Sequence, residues 1–70
     1  MALVRSEISG SVWKIEVSVG QRVAEGDVLI ILESMKMEIP VEAPSAGVVE
    51  AVHVAESDAV KEDQLLVTLG

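Results

Sequence analysis

The chain alternates short apolar runs with short polar breaks and nowhere sustains the 3.6-residue period of a helix. From Met1 to Ile8, Leu3, Val4 and Ile8 lie among polar residues, as in an edge-like first strand. Ser9-Gly10-Ser11 reads as a turn. Trp13, Ile15, Val17 and Val19 then alternate with Lys14, Glu16 and Ser18, which predicts a strand over Val12 to Val19. Val12 is out of phase with that face, the mark of a bulge or bend near the strand's start. Gly20-Gln21 and Glu25-Gly26-Asp27 are turns on either side of a very short strand at Arg22 to Ala24, with Gly26 suited to positive φ. The unbroken apolar run Val28 to Leu32 predicts a buried strand ending at Glu33. The next strand, Glu38 to Ala43, contains Pro40, which cannot donate a ladder hydrogen bond and belongs at an edge. Beyond a turn at Pro44 to Gly47, strands are predicted at Val48 to Val54, Ala59 to Lys61 and Leu65 to Leu69, separated by turns at Glu56-Ser57-Asp58 and Glu62-Asp63-Gln64. About eight short strands without a helix predict an all-β sandwich or flattened barrel.

The same pattern occurs twice. A shift of about 37 residues lays the sequence on itself without a gap. Gly10 falls on Gly47, Val12 on Val49, Ile15 on Val52, Val17 on Val54, Val23 on Val60, Leu29 on Leu66 and Leu32 on Leu69. The half-repeats run from about 7–33 and 44–70, within one domain spanning 1–70. Either half alone is a small sheet with one apolar face, unstable in water. Packed together, they bury Val12, Ile15, Val17, Leu29 and Leu32 against their counterparts about an internal quasi-two-fold axis. Lys36 lies in the crossover between the halves, and its counterpart would fall past Gly70, so it has no duplicate. The chain ends should lie toward one pole and the Lys36 hairpin at the other.

Composition narrows the function. Half of the residues are hydrophobic, Trp13 is the one aromatic, and the 70 residues leave no room for a cleft between two lobes. A self-contained enzyme is therefore not expected. Twelve acidic residues against five basic ones give a formal charge of −7. That argues against nucleic acid, which requires a clustered basic surface, and against anionic membranes; the charge either steers the chain toward basic partner surfaces or serves only solubility. The longest apolar run is about five residues, against roughly 20 for a membrane span. The absence of cysteine removes disulfides, thiolate metal sites and thiol nucleophiles, and suits a reducing cytoplasm. The expectation is an acidic, cytoplasmic, monomeric protein that binds protein partners.

The candidate chemistry is central: Glu33-Ser34-Met35-Lys36-Met37-Glu38 joins two extended stretches. This arrangement presents the Lys36 amine on a hairpin tip, whereas Lys14 and Lys61 lie within strands. Met35 and Met37 form a soft apolar collar around it. Glu33 and Glu38 have no pocket that would make them an acid–base pair, so they read as a solvated or partner-facing pair. His53 reads as a surface residue without a second ligand, and Trp13 as a core or rim residue. Gly20 and Gly26 precede no helix, so they form no phosphate loop.

Over nearly its whole length the chain resembles the biotinyl/lipoyl carrier family. The resemblance rests on Gly10-x-Val12, Ile15-x-Val17, Gly20-x-x-Val23-x-x-Gly26-Asp27, Leu29-x-x-Leu32-Glu33-Ser34-Met35-Lys36-Met37-Glu38, Ala43-Pro44-x-x-Gly47 and the echo in the second half. It implies a flattened eight-stranded antiparallel barrel, a barrel-sandwich hybrid, with the lysine on a tight hairpin between the fourth and fifth strands. It further implies that a biotin protein ligase acylates Lys36, with Glu33, Ser34, Met35, Met37 and Glu38 as flanking recognition residues. Biotin would then carry carboxylate between biotin carboxylase and carboxyltransferase subunits. Lipoate, attached by a lipoyl ligase to the same lysine, and an unmodified interaction module are the alternatives. Ser34 stands where biotin carriers usually have Ala, and Ser57 and Asp63 stand where the first half has glycines. The two halves align without the inserted loop that some biotin carriers use.

Overall fold

The structure, a computed structural model, describes residues 1–70. The strands are β1 (Ala2–Arg5), β2 (Gly10–Ile15), β3 (Arg22–Val23), β4 (Val28–Ser34), β5 (Met37–Glu42), β6 (Gly47–Val52), β7 (Ala59–Val60) and β8 (Leu65–Leu69). They form two four-stranded antiparallel sheets, ordered β1-β8-β6-β3 and β5-β4-β2-β7. This is the sandwich form of the expected flattened barrel. No helix is long and apolar enough to cross a membrane. Pro40 lies in β5, an edge strand, where its missing N–H leaves no gap in the ladder.

The two sheets are copies of each other. Moving each residue on by 37 (2 to 39, 12 to 49, 32 to 69) carries β1 onto β5, β2 onto β6, β3 onto β7 and β4 onto β8. The correspondence thus reaches back to β1, further than the sequence match. Irregularities are repeated as well. The β2–β4 register skips Trp13, and the β6–β8 register skips its mate Glu50. The β4–β5 register skips Leu29, and the β1–β8 register skips its mate Leu66. The core repeats too: Val12 and Val49, Val17 and Val54, Val23 and Val60, Leu29 and Leu66, Ile30 and Val67, Leu32 and Leu69 are all buried. Ser6 is the one buried polar residue; its hydroxyl donates to the Ile8 carbonyl at 2.6 Å, so it has a partner in the core.

The bulge at Trp13 explains where simple alternation misleads. An extra residue reverses which face its neighbours meet. Val12 therefore points inward and is buried, Trp13 is half-exposed, and Ile15 only packs against the core's margin. The strand ends at Ile15, and Val19 is exposed.

Gly10 also differs from expectation. Instead of turning, Gly10 and Ser11 open β2 by pairing with Val60 and Ala59. What selects glycine here is close approach, since a Cβ would lie 2.5 Å from the Glu33 carbonyl oxygen. Gly47 is held in the same way by the Gly70 carbonyl. Gly10→Ala should force the strands apart, at about 1–3 kcal/mol, and lower the melting temperature by roughly 5–20 °C in a thermal scan.

Four turns close on themselves in dyad-related pairs. The Gln21 side-chain oxygen accepts the Ser18 N–H, and Asp58 accepts that of Ala55. Asp27 accepts the Ala24 N–H at 2.8 Å, and Gln64 accepts that of Lys61 at 3.0 Å. Gly20 and Ser57, and Gly26 and Asp63, take the positive φ these turns require. The second half therefore builds the same turns without glycine, at a backbone cost of about 1 kcal/mol each.

These turns set the molecule's length. From the β4–β5 hairpin end, β2 runs away for six residues, and by Gly20 its chain reaches the Val49 carbonyl. Val49 pairs with Leu69, and Leu69 with Ala2. The first and last strands therefore meet at the pole remote from the hairpin in a body 30 Å long and 18 Å across.

Candidate functional site

Ser34 pairs with Met37, so the chain reverses between β4 and β5 through only two residues, Met35 and Lys36. Both have positive φ, 53° and 67°. That pair of signs is the signature of a type I′ turn, whose twist matches that of the flanking strands. Asn-Gly or Asp-Gly fills such turns most readily. Met and Lys adopt it at a cost of about 1–2 kcal/mol each, which the long hairpin pairing below sustains. The turn holds Lys36 at the outermost point of the sheet.

Nothing restrains the amine. Lys36 is exposed, and the chain's ion pair lies elsewhere, between Lys14 and Glu16 at 3.6 Å. Met35 is 92% exposed and Met37 63%, an unusual outlay of apolar surface next to one cation. Glu33 and Glu38 lie directly opposite each other, one pair below Ser34–Met37, and both are exposed. Like charges so placed repel by a few tenths of a kcal/mol, so the pair does not serve stability. Ser34 is half-buried at the base of the turn. The six residues singled out in the sequence are thus brought together on one tip.

The molecule has no pocket at this tip. One concavity, about 440 Å3, runs between edge strands β1 and β5 and is lined by residues such as Leu3, Ile8, Ile39 and Val41. A second, more open one is lined by Arg5, Ser6, Glu7, Glu62 and Asp63. Neither includes a residue from Glu33 to Glu38. No group of His, Asp and Glu is placed to hold a metal ion. His53 lies on the surface with its Nε2 2.8 Å from the Thr68 hydroxyl. The arrangement is an exposed, unpaired amine on a projecting two-residue turn, flanked by exposed Met35 and Met37.

The structure defines a class, a doubled β-sandwich that displays one lysine on a two-residue turn. The comparisons with known proteins place it within a family. Residues 3–69 match the family model described as "Biotin-requiring enzyme", and the chain belongs to this biotin/lipoyl family. The chain is 47% identical over 66 residues to the "Biotinylated protein TB7.3 homolog" of Mycobacterium leprae, spanning 94% of this chain and 93% of that one. It is 41% identical over 66 residues to the "Biotin/lipoyl attachment protein" of Bacillus subtilis, spanning 94% and 90%. Among solved structures, the Kluyveromyces lactis urea carboxylase superimposes with a TM-score of 0.94 at 35% identity, over 99% of this chain and 6% of that one.

Proposed function

We propose that this protein is a covalent biotin carrier and that Lys36 is its attachment point. The observation that carries the reading is the unpaired, exposed Lys36 amine, held outermost by a strained two-residue turn in a family of biotin-requiring proteins. A biotin protein ligase would supply biotin activated as its adenylate. The Lys36 amine attacks the acyl carbonyl, an amide forms, AMP leaves and the amine's proton passes to the ligase or solvent. The carrier's part is position, since a fixed tip converts a bimolecular encounter into an oriented one. Met35 and Met37 offer the ligase apolar surface to bury, with Ser34, Glu33 and Glu38 read alongside them. Once attached, biotin supplies the site that takes up and gives up carboxylate between biotin carboxylase and carboxyltransferase subunits. The lysine stem and biotin chain together give a reach of about 14 Å, from about ten bonds. The protein would act as a cytoplasmic monomer, a substrate of its ligase and not an enzyme.

The Bacillus relative's name keeps lipoate as a second reading on the same lysine. The two adducts differ in mass. In protein produced with both biotin and lipoyl ligases present, an intact-mass spectrum should show one biotinyl group per chain. A lipoyl adduct would select the second reading, and an unmodified mass would overturn both.

A further inference from the structure

Outward rows on the hairpin's sheet differ from their dyad mates in a way the fold does not require. Val12, Leu32 and Ile39 form one row across β2, β4 and β5, in which Val12 and Leu32 are buried in the core and Ile39, at the edge, is half-buried. The rows on either side of it therefore face out. One is Ser11–Glu33–Glu38, and the other is Lys14–Ile31–Pro40, with Trp13 bulged between them. Trp13 is 47% exposed, although it is the largest side chain in a protein with few large ones. At the dyad-related positions, Trp13 is matched by Glu50, Ile31 by Thr68 and Glu33 by Gly70. So only the face that continues into the lysine hairpin joins an exposed tryptophan and a proline to a pair of uncompensated carboxylates.

We infer that this outer face, centred on Trp13, Ile31 and Pro40 and edged by Glu33 and Glu38, is the docking surface for the enzyme that acylates Lys36. The inference rests on the carrier reading above. The choice of partner follows from the order of events. The acylating enzyme meets the chain before any cofactor is attached and must tell Lys36 from Lys14 and Lys61, so it must read protein surface. Later partners can grip the attached group itself. The face adjoins the tip, so one partner covers both in a single approach. An exposed tryptophan on the same outer face as Ile31 and Pro40 of the next two strands is the kind of apolar anchor that dominates protein interfaces. The opposed carboxylates in a chain of net charge −7 call for a basic rim on the partner.

The test uses the full chain with a purified biotin protein ligase, biotin and MgATP, and measures KM and kcat for the carrier. Trp13→Ser and, separately, Glu38→Lys should each raise KM at least tenfold with kcat little changed. Leu3→Ser, at the dyad mate of Pro40, should leave both constants alone. Circular dichroism and thermal scans of each variant confirm folding, and Glu38→Lys, at an exposed position, keeps the test available should Trp13→Ser unfold. An unchanged KM in folded variants overturns the docking face while leaving Lys36 as the attachment site. Normal acylation combined with failure to serve as substrate for a biotin carboxylase assigns the face to that enzyme and likewise overturns the inference. Failure of the unaltered protein to be acylated instead overturns the carrier reading on which the inference stands.

Discussion

Lys36→Arg should abolish biotinylation, with no streptavidin signal and no added mass in protein co-produced with the ligase. Arginine keeps the positive charge and most of the stem, so the electrostatics of the tip hardly change. What it lacks is an amine that can lose a proton and attack, because the guanidinium stays protonated throughout the range in which proteins are stable. The side chain is exposed and unpaired, and the φ of 67° burdens Arg no more than Lys, so the fold should be untouched. A thermal scan matching that of the unaltered protein would separate lost chemistry from lost structure. Lys14, Lys61 and the amino terminus remain as internal controls. Signal retained in the variant would move the attachment to one of them and defeat the assignment.

The largest loss of stability should come from Leu32→Ala. Leu32 has no exposed surface, and it links β2 to β5 in the row beneath the hairpin. Removing its isobutyl group leaves a cavity that a small sandwich cannot collapse around, at about 2–5 kcal/mol. A domain of this size has in total about 4–10 kcal/mol. Urea titration should therefore show the midpoint falling by about a fifth or more with the slope unchanged. Its dyad mate Leu69, buried to the same degree, should respond alike, and the double variant should be unfolded at room temperature. Leu32→Ala should also depress acylation, but only in proportion to the unfolded fraction. Lys36→Arg would instead remove acylation from a fully folded chain, so the two variants report on separate properties.

Much of the site was legible because it is local in sequence. A lysine between two methionines, without a repeat partner and bounded by two extended stretches, points to a hairpin tip before any coordinates are known. What lies beside the tip was not legible. Trp13 is twenty residues before Glu33, and the bulge that turns it outward hid it among positions that alternate toward the core. The out-of-phase Val12 was the one available signal, and it marks a bulge without saying which residue is extra. Gly10 misled for a related reason. Glycine beside two serines suggests a turn, whereas its need arises from a carbonyl on a different strand.

By itself the sequence determined the number and order of strands, the doubling, the edge position of Pro40 and the identity of the displayed lysine. Each follows from alternation, turn chemistry or self-similarity, which neighbouring residues carry. Only the tertiary structure decided where the extra residues at Trp13, Leu29, Glu50 and Leu66 fall, and therefore which side chains meet the core and which meet a partner. It also decided that Met35 and Lys36 both take left-handed backbone. The reason is that strand register is a property of pairs. An inserted residue is accommodated or not by the strand opposite, and a local pattern holds no record of that strand.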